Sequence, residues 1–164
     1  SHLNGVIEPF EKMGCKIWKD KDTLTAARMD KLMALPYLKT SPYPGFPTDL
    51  QQPIIPFLTQ CHGTSTVEET IYENRFQNLY ELNKMGATTE LLTNQKAVIV
   101  GPTKLSGKTV RATDLRAGAS LVIAGLIANG TTTILDADYV LRGYEGLVEK
   151  LTNVGAKIKL EKED

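Results

Sequence analysis

An excess of charge of either sign is what this 164-residue chain most plainly lacks. Lys+Arg and Asp+Glu both number 19, for a formal net charge of zero. Such a chain has no global field to draw nucleic acid or an anionic membrane, so neither is expected as a partner and any anion site must be built locally. Cysteine is scarce: Cys15 and Cys61 make no disulfide framework, and a reducing cytoplasm is the simpler expectation. Both are read as core residues, Cys61 because it closes an apolar helix and cannot form a working thiolate–imidazole pair with its immediate neighbour His62. Two distant histidines leave no zinc-type ligand set, and no cofactor is expected. No apolar run reaches bilayer-spanning length, and no charged-then-apolar leader is expected.

What is present is ordinary for a globular chain, with 41% hydrophobic and 23% charged residues, enough for one domain with a sizeable core. The informative feature is a stretch written twice. Pro47-Thr48-Asp49-Leu50 and Ala112-Thr113-Asp114-Leu115 each precede a mostly apolar run that closes at a glycine, Gly63 or Gly130. A β-like run, a helix-like run and a closing Gly86-Ala87 or Gly155-Ala156 follow in each. Matched landmarks at nearly one spacing define an internal repeat. The opening residues, a helix with Leu3, Val6, Ile7, Phe10 and Met13 on one face, then Gly14 and a strand over 15–19, read as the tail of another copy. The expected organisation is a tail at about 1–40 and two units at about 41–106 and 107–164, all in a single incomplete domain.

Residues 20–40 are poorly periodic, and 40–47 form a Pro/Gly loop. Thr48 or Asp49 should cap a helix running to about Gln60, with Pro56 an awkward interior proline. Residues 65–71 suit a strand, and Phe76, Leu79, Leu82 and Met85 mark a helix. Residues 88–92 and 96–100 suit a strand pair, and 109–112 another strand. The helix from Leu115 to Ala128 is apolar on every side after Arg116 and is expected to be buried all round. A strand over 131–135, a helix carrying Tyr144, Leu147, Val148 and Leu151, and a half-exposed strand at 157–160 complete the chain. The fold class is α/β by repetition.

The stretch from Gly101 to Thr109 resembles a phosphate-binding loop only superficially. Five residues separate its glycines where the motif needs four, and a strand follows where a helix is required, so it reads as a hairpin turn. Capping is the expected structural role of both Thr-Asp pairs, although Asp49 follows a rigid loop where a substrate could reach it. The arginines are sharper. Arg75 and Arg142 stand where the second helix of each copy begins, and Arg116 where the first helix of the second copy begins, at the position held by Gln51 in the first. A cation at a helix start opposes the dipole, so these positions point to an anion site if the three converge, and to solvated or locally paired residues if they do not.

The runs Pro44-Gly45-Phe46-Pro47-Thr48-Asp49-Leu50-Gln51, Glu73-Asn74-Arg75-Phe76, Ala112-Thr113-Asp114-Leu115-Arg116-Ala117 and Arg142-Gly143-Tyr144-Glu145 carry a resemblance. Over essentially its whole length the chain resembles the C-terminal portion of the UDP-N-acetylglucosamine 1-carboxyvinyltransferase family. The sister family, enolpyruvylshikimate-phosphate synthase, shares the architecture but differs in these signatures. The resemblance implies an inside-out α/β barrel domain of repeated βαβαββ units, with helices inside and sheets outside. It implies transfer of the enolpyruvyl group of phosphoenolpyruvate to the 3-hydroxyl of UDP-N-acetylglucosamine in the cytoplasm, by addition and then elimination of phosphate. It further implies Asp49 as general base on the sugar hydroxyl and the Ile71 backbone as a UDP-sugar contact. Arg75 and Arg116 would hold the phosphoenolpyruvate carboxylate and Arg142 its phosphate, with Asp114 ordering the cleft wall. The family's N-terminal Lys-Asn pair and its proton-donating loop cysteine have no match here, and neither Cys15 nor Cys61 replaces that cysteine. The expectation is therefore one wall of a cleft, inactive without the first domain of the same protein. A non-catalytic binding module of the same fold is the alternative.

Overall fold

The structure, a computed structural model, describes residues 3–162. Helix α1 (Asn4–Lys12) leads into the antiparallel hairpin β1 (Lys16–Lys19) and β2 (Leu24–Ala27). Strand β3 (Tyr37–Lys39) precedes the Pro/Gly loop, a 3-10 turn at Thr48–Leu50 and helix α2 (Gln51–Leu58). Then come β4 (Gly63–Glu68), α3 (Asn78–Lys84), β5 (Thr88–Thr93) and β6 (Lys96–Gly101). The four strands form one sheet in the order β3-β4-β6-β5, parallel between β3 and β4 and antiparallel elsewhere. The same order begins again with β7 (Thr109–Arg111), α4 (Leu115–Ile127) and β8 (Thr133–Leu135), β7 and β8 pairing in parallel. Helices α5 (Asp138–Leu141) and α6 (Leu147–Asn153) follow.

Three helix ends share one hydrogen-bond pattern. After α1, α3 and α6 a glycine (Gly14, Gly86, Gly155) sits at φ of +100°, +104° and +97°. Its N–H reaches the carbonyl three residues back, and the next N–H reaches five back: Cys15 to Phe10, Ala87 to Leu82, Ala156 to Leu151. This is the Schellman stop, which needs a left-handed residue and so favours glycine. The recurrence read from Gly86 and Gly155 is therefore a recurrence of backbone conformation.

The core lies between the four-stranded sheet and helices α2, α3 and α4, with Ile55, Leu58, Leu82, Ile99 and Leu121 fully or almost fully buried. Helix α2 is buried at nearly every position, touches α1 through an edge-to-face Phe10–Phe57 contact at 5.2 Å, and packs on α4. Its interior proline is accommodated by a neighbour. Pro56 has no N–H for the Gln52 carbonyl, and the Asn78 side-chain amide from α3 donates to that oxygen at 3.4 Å, and to Ser120 Oγ of α4 at 2.8 Å. Burial lifts the Cys61 thiol pKa to about 11, with Cys15 adding to the rise and Arg28 opposing it.

Several sequence expectations are corrected. Helix α4 is not buried all round: Leu121 and Ala124 face the core, whereas Leu126 remains 48% exposed, because the described neighbours of α4 (α2, α3, α5 and β8) leave that position uncovered. Residues 20–40 hold β2 and β3, both too short to show a period. Residues 157–160 form no strand, since no described strand lies beside them to complete a ladder. The segment after Gly101 is not a hairpin turn, because β6 and β7 belong to different sheets. It crosses between the two copies, with Thr103 N–H on the Thr59 carbonyl, Ser106 N–H on Met85 and Gly107 N–H on Asn129.

Candidate active site

The two Thr-Asp pairs, alike in sequence, do different work. Asp114 Oδ1 accepts from the N–H groups of Arg116 and Ala117 at 2.8 and 3.0 Å, a side-chain cap on α4. Asp49 caps nothing. It lies inside the 3-10 turn, whose leading residue is Pro47, and its side chain is 68% exposed. The expectation that Asp49 is a cap is thus overturned, and the reason is local: the turn preceding α2 satisfies its first N–H groups by backbone bonds such as Leu50 to Pro47.

What Asp49 does instead is receive two arginines. Arg116, in the first turn of α4, places Nε and Nη2 each 2.6 Å from Asp49 Oδ1. Arg75 places Nη1 3.6 Å from the same oxygen and 3.0 Å from Thr48 Oγ1. Arg75 does not open a helix as expected. It sits in the turn ahead of α3, after Asn74 in a left-handed conformation (φ 56°), and its guanidinium lies 3.9 Å over the Tyr72 ring. With its side chain only 14% exposed, Arg75 is the most enclosed of the three charges.

Arg142 stands apart. It terminates α5 rather than beginning a helix, so its charge favours the helix dipole, contrary to expectation. Its Nε donates to the Asp138 carbonyl at 3.2 Å and its guanidinium lies 5.5 Å from the Tyr139 ring. No contact joins it to Asp49, Arg75 or Arg116 among the described residues. Its neighbour Gly143 nevertheless abuts Leu115: a Cβ there would meet the Leu115 side chain at 2.3 Å. Arg142 therefore flanks the same end of α4 that carries Arg116.

Ile71 is partly exposed, and its N–H donates to Glu69 Oε1 at 2.8 Å. Glu69 escaped the sequence reading although a signal was available. Alternation along β4 turns Ser65 and Val67 inward, and the next inward position is Glu69, fully buried. No cluster of metal-ligating side chains occurs among the described residues, and no described helix is long and apolar enough to cross a membrane. Two depressions of about 260 and 250 Å³ lie along α1, and neither is lined by Asp49, Arg75 or Arg116. The arginine–aspartate cluster instead occupies an open face, where planar guanidinium forks can take a carboxylate or phosphate.

Comparison with known proteins gives this face a context. The chain is 46% identical over 162 residues to UDP-N-acetylglucosamine 1-carboxyvinyltransferase 1 of Streptococcus agalactiae and to UDP-N-acetylglucosamine 1-carboxyvinyltransferase 2 of Streptococcus mutans. In both cases the match covers 99% of this chain and 38% of the relative, so the chain spans well under half the length of these proteins. Among solved structures, the enolpyruvyl transferase NikO from Streptomyces tendae superposes with a TM-score of 0.87 at 29% identity, over 96% of this chain and 36% of that one. EPSP synthase from Acinetobacter baumannii shares the fold, with a TM-score of 0.66 at 17% identity over 96% of this chain and 37% of that one. A family model, EPSP synthase (3-phosphoshikimate 1-carboxyvinyltransferase), matches residues 1–151, and the chain belongs to that family of carboxyvinyltransferases.

Proposed function

We propose that this chain forms one wall of the cleft of an enolpyruvyl transferase that moves the enolpyruvyl group of phosphoenolpyruvate onto the 3-hydroxyl of UDP-N-acetylglucosamine, the first committed step of peptidoglycan synthesis. The observation that carries the reading is the meeting of Arg75 and Arg116 on Asp49. The choice of acceptor is supported by the 46% identity to relatives named for UDP-N-acetylglucosamine.

In this reading Arg75 and Arg116 bind the phosphoenolpyruvate carboxylate, and Arg142, flanking the same end of α4, takes the phosphate. Two guanidinium groups already gathered on one carboxylate before substrate arrives have only to exchange that partner for the substrate's, which is electrostatic preorganisation. Once the substrate carboxylate engages the arginines, Asp49 is released from them. It can then accept the proton of the sugar hydroxyl as that oxygen attacks the enol carbon, while the Ile71 backbone holds the UDP-sugar. Residues 41–106 and 107–164 act as two units of one domain, preceded by the tail of another at about 1–40. The rest of the cleft, including the proton donor for the methylene carbon, comes from the remainder of the protein. The setting is the cytoplasm, where the product feeds wall synthesis and thereby cell shape and division.

A thermal-unfolding titration tests the reading. UDP-N-acetylglucosamine with phosphoenolpyruvate should raise the unfolding temperature, by the equivalent of about 2.7 kcal/mol at one hundred times the dissociation constant. Stabilisation by 3-phosphoshikimate and not by the UDP-sugar would overturn the choice of acceptor. A coupled phosphate-release assay on the isolated chain should stay at background, and turnover there would refute the one-wall reading.

A further inference from the structure

Glu69 is a carboxylate with no exposed surface, and among the described residues no cation pairs with it directly. A buried carboxylate is costly unless its oxygens are hydrogen-bonded. Here four donors converge on it. Oε1 accepts from Thr40 Oγ1 at 3.0 Å, Ile71 N–H at 2.8 Å and Tyr72 N–H at 3.1 Å, and Oε2 accepts from Thr48 Oγ1 at 2.8 Å. Thr40 is itself fixed, since its Oγ1 accepts from Thr70 N–H at 2.9 Å and its N–H donates to the Glu68 carbonyl.

The direction of these bonds matters. Thr48 donates its one hydroxyl proton to Glu69 Oε2. Its lone pairs are then left for Arg75 Nη1, 3.0 Å away. Tyr72, whose N–H is held by the same carboxylate, supplies the ring that lies 3.9 Å beneath the Arg75 guanidinium. Of the three groups that fix Arg75, two hang from Glu69, and the third is Asp49, next to Thr48 in the chain.

We propose that Glu69 is a positioning residue of the anion site: by dictating the hydroxyl direction of Thr48 and the seat of Tyr72 it aims Arg75, and by holding the Ile71 N–H it fixes the adjoining main chain. Its importance for a reaction rests on the function proposed above, whereas the aiming itself is a property of this chain alone. A glutamine is nearly isosteric but carries an NH₂ group in place of one oxygen. Facing Thr48, that group takes one of the hydroxyl's two lone pairs and releases its proton, which can then turn toward the Arg75 guanidinium and weaken the bond that the carboxylate had kept directed.

The test uses the ¹⁵N-labelled chain and the Arg75 Nη1–H cross-peak, assigned by its loss in Arg75→Lys, because Nη1 is the atom that donates to Thr48 Oγ1. Glu69→Gln should displace this peak and speed its exchange with water, by at most the roughly tenfold of losing one charge-assisted bond outright. Thr48→Val should act in the same direction and at least as strongly, Thr48→Ser should restore the wild-type peak, and the effect of Glu69→Gln should shrink in the Thr48→Val background, where the relaying hydroxyl is gone. An Arg75 peak unmoved in Glu69→Gln, or Thr48→Ser behaving like Thr48→Val, overturns the proposal. Should Glu69→Gln fail to fold, Thr48→Val decides, because it removes the one hydroxyl between Glu69 and Arg75, and an unmoved peak there overturns the proposal. Peaks that move as expected in the variants, while the wild-type spectrum ignores phosphoenolpyruvate, would uphold the aiming and count against the substrate reading alone.

Discussion

Arg116 Nε and Asp49 Oδ1 lie 2.6 Å apart although 67 residues separate them in the chain. The contact joins the first turn of α4 to the loop before α2, the corresponding places in the two copies of the repeat. An internal carboxylate thus occupies the guanidinium groups that an incoming anion would need.

Asp49→Asn removes that competitor. Phosphoenolpyruvate should bind the variant roughly 1.4- to fivefold more tightly, since an exposed ion pair is worth about 0.2–1 kcal/mol. Turnover of the catalytically complete protein should nevertheless fall by about 10²–10⁴-fold with the base gone. Titration calorimetry reads the first effect, and weaker binding by Asp49→Asn would contradict the competition.

Asp114→Ala deletes a cap made by two bonds and should cost about 0.5–2 kcal/mol. Asp49→Ala, at the equivalent repeat position, deletes no cap and should cost less than Asp114→Ala. Urea unfolding of the two variants compares them, and equal losses would argue against the division of labour between the two aspartates.

On α4 the two leucines Leu121 and Leu126 test how far the helix is enclosed. Leu121→Ala should destabilise by about 2–5 kcal/mol through the cavity it leaves. Leu126→Ala, on the uncovered side, should stay within about 0.5 kcal/mol. A large loss at Leu126 in the isolated chain would mean that something covers this face in solution.

The Cys61 thiol gives a pH signature. Its pKa is raised from 9.0 to about 11 in the folded chain, so between those values the native state holds a proton that the unfolded state releases. Stability from this group is complete below pH 9 and declines as pH rises toward 11. The decline should be shallower in Cys61→Ala, which cancels the contributions of lysine and tyrosine common to both proteins. Equal slopes would place the thiol in water.

Much of the architecture was legible in the sequence because the signals were local and long. Helix α4 could be read over its full length from thirteen residues with an Asp at their head, and the β5–β6 hairpin from two β-rich runs around Asn94-Gln95. Strands β2 and β3 were not, since three or four residues carry no period and their identity comes from partners distant in the chain. The candidate site divides in the same way. Residue types picked out Asp49, Arg75 and Arg116, but their mutual distances belong to tertiary packing. Arg142 was placed at a helix start because α5 has only four residues and shows no period of its own, while Gly143 and the left-handed Gly146 that separate it from α6 come after Arg142. Glu69 was overlooked since an acidic pair at a strand end reads as a solvated edge unless alternation is followed one step further.

The segment between β6 and β7 ties Thr59 and Met85 of one copy to Asn129 of the other through main-chain amides, with Leu105 packed beneath it. A seam made mainly of peptide groups constrains few side chains, chiefly Gln60 on the Thr103 carbonyl and the closely approached Gly101 and Gly107. Gln51 before one run and Arg116 before the other can therefore differ while the joinery between them stays the same.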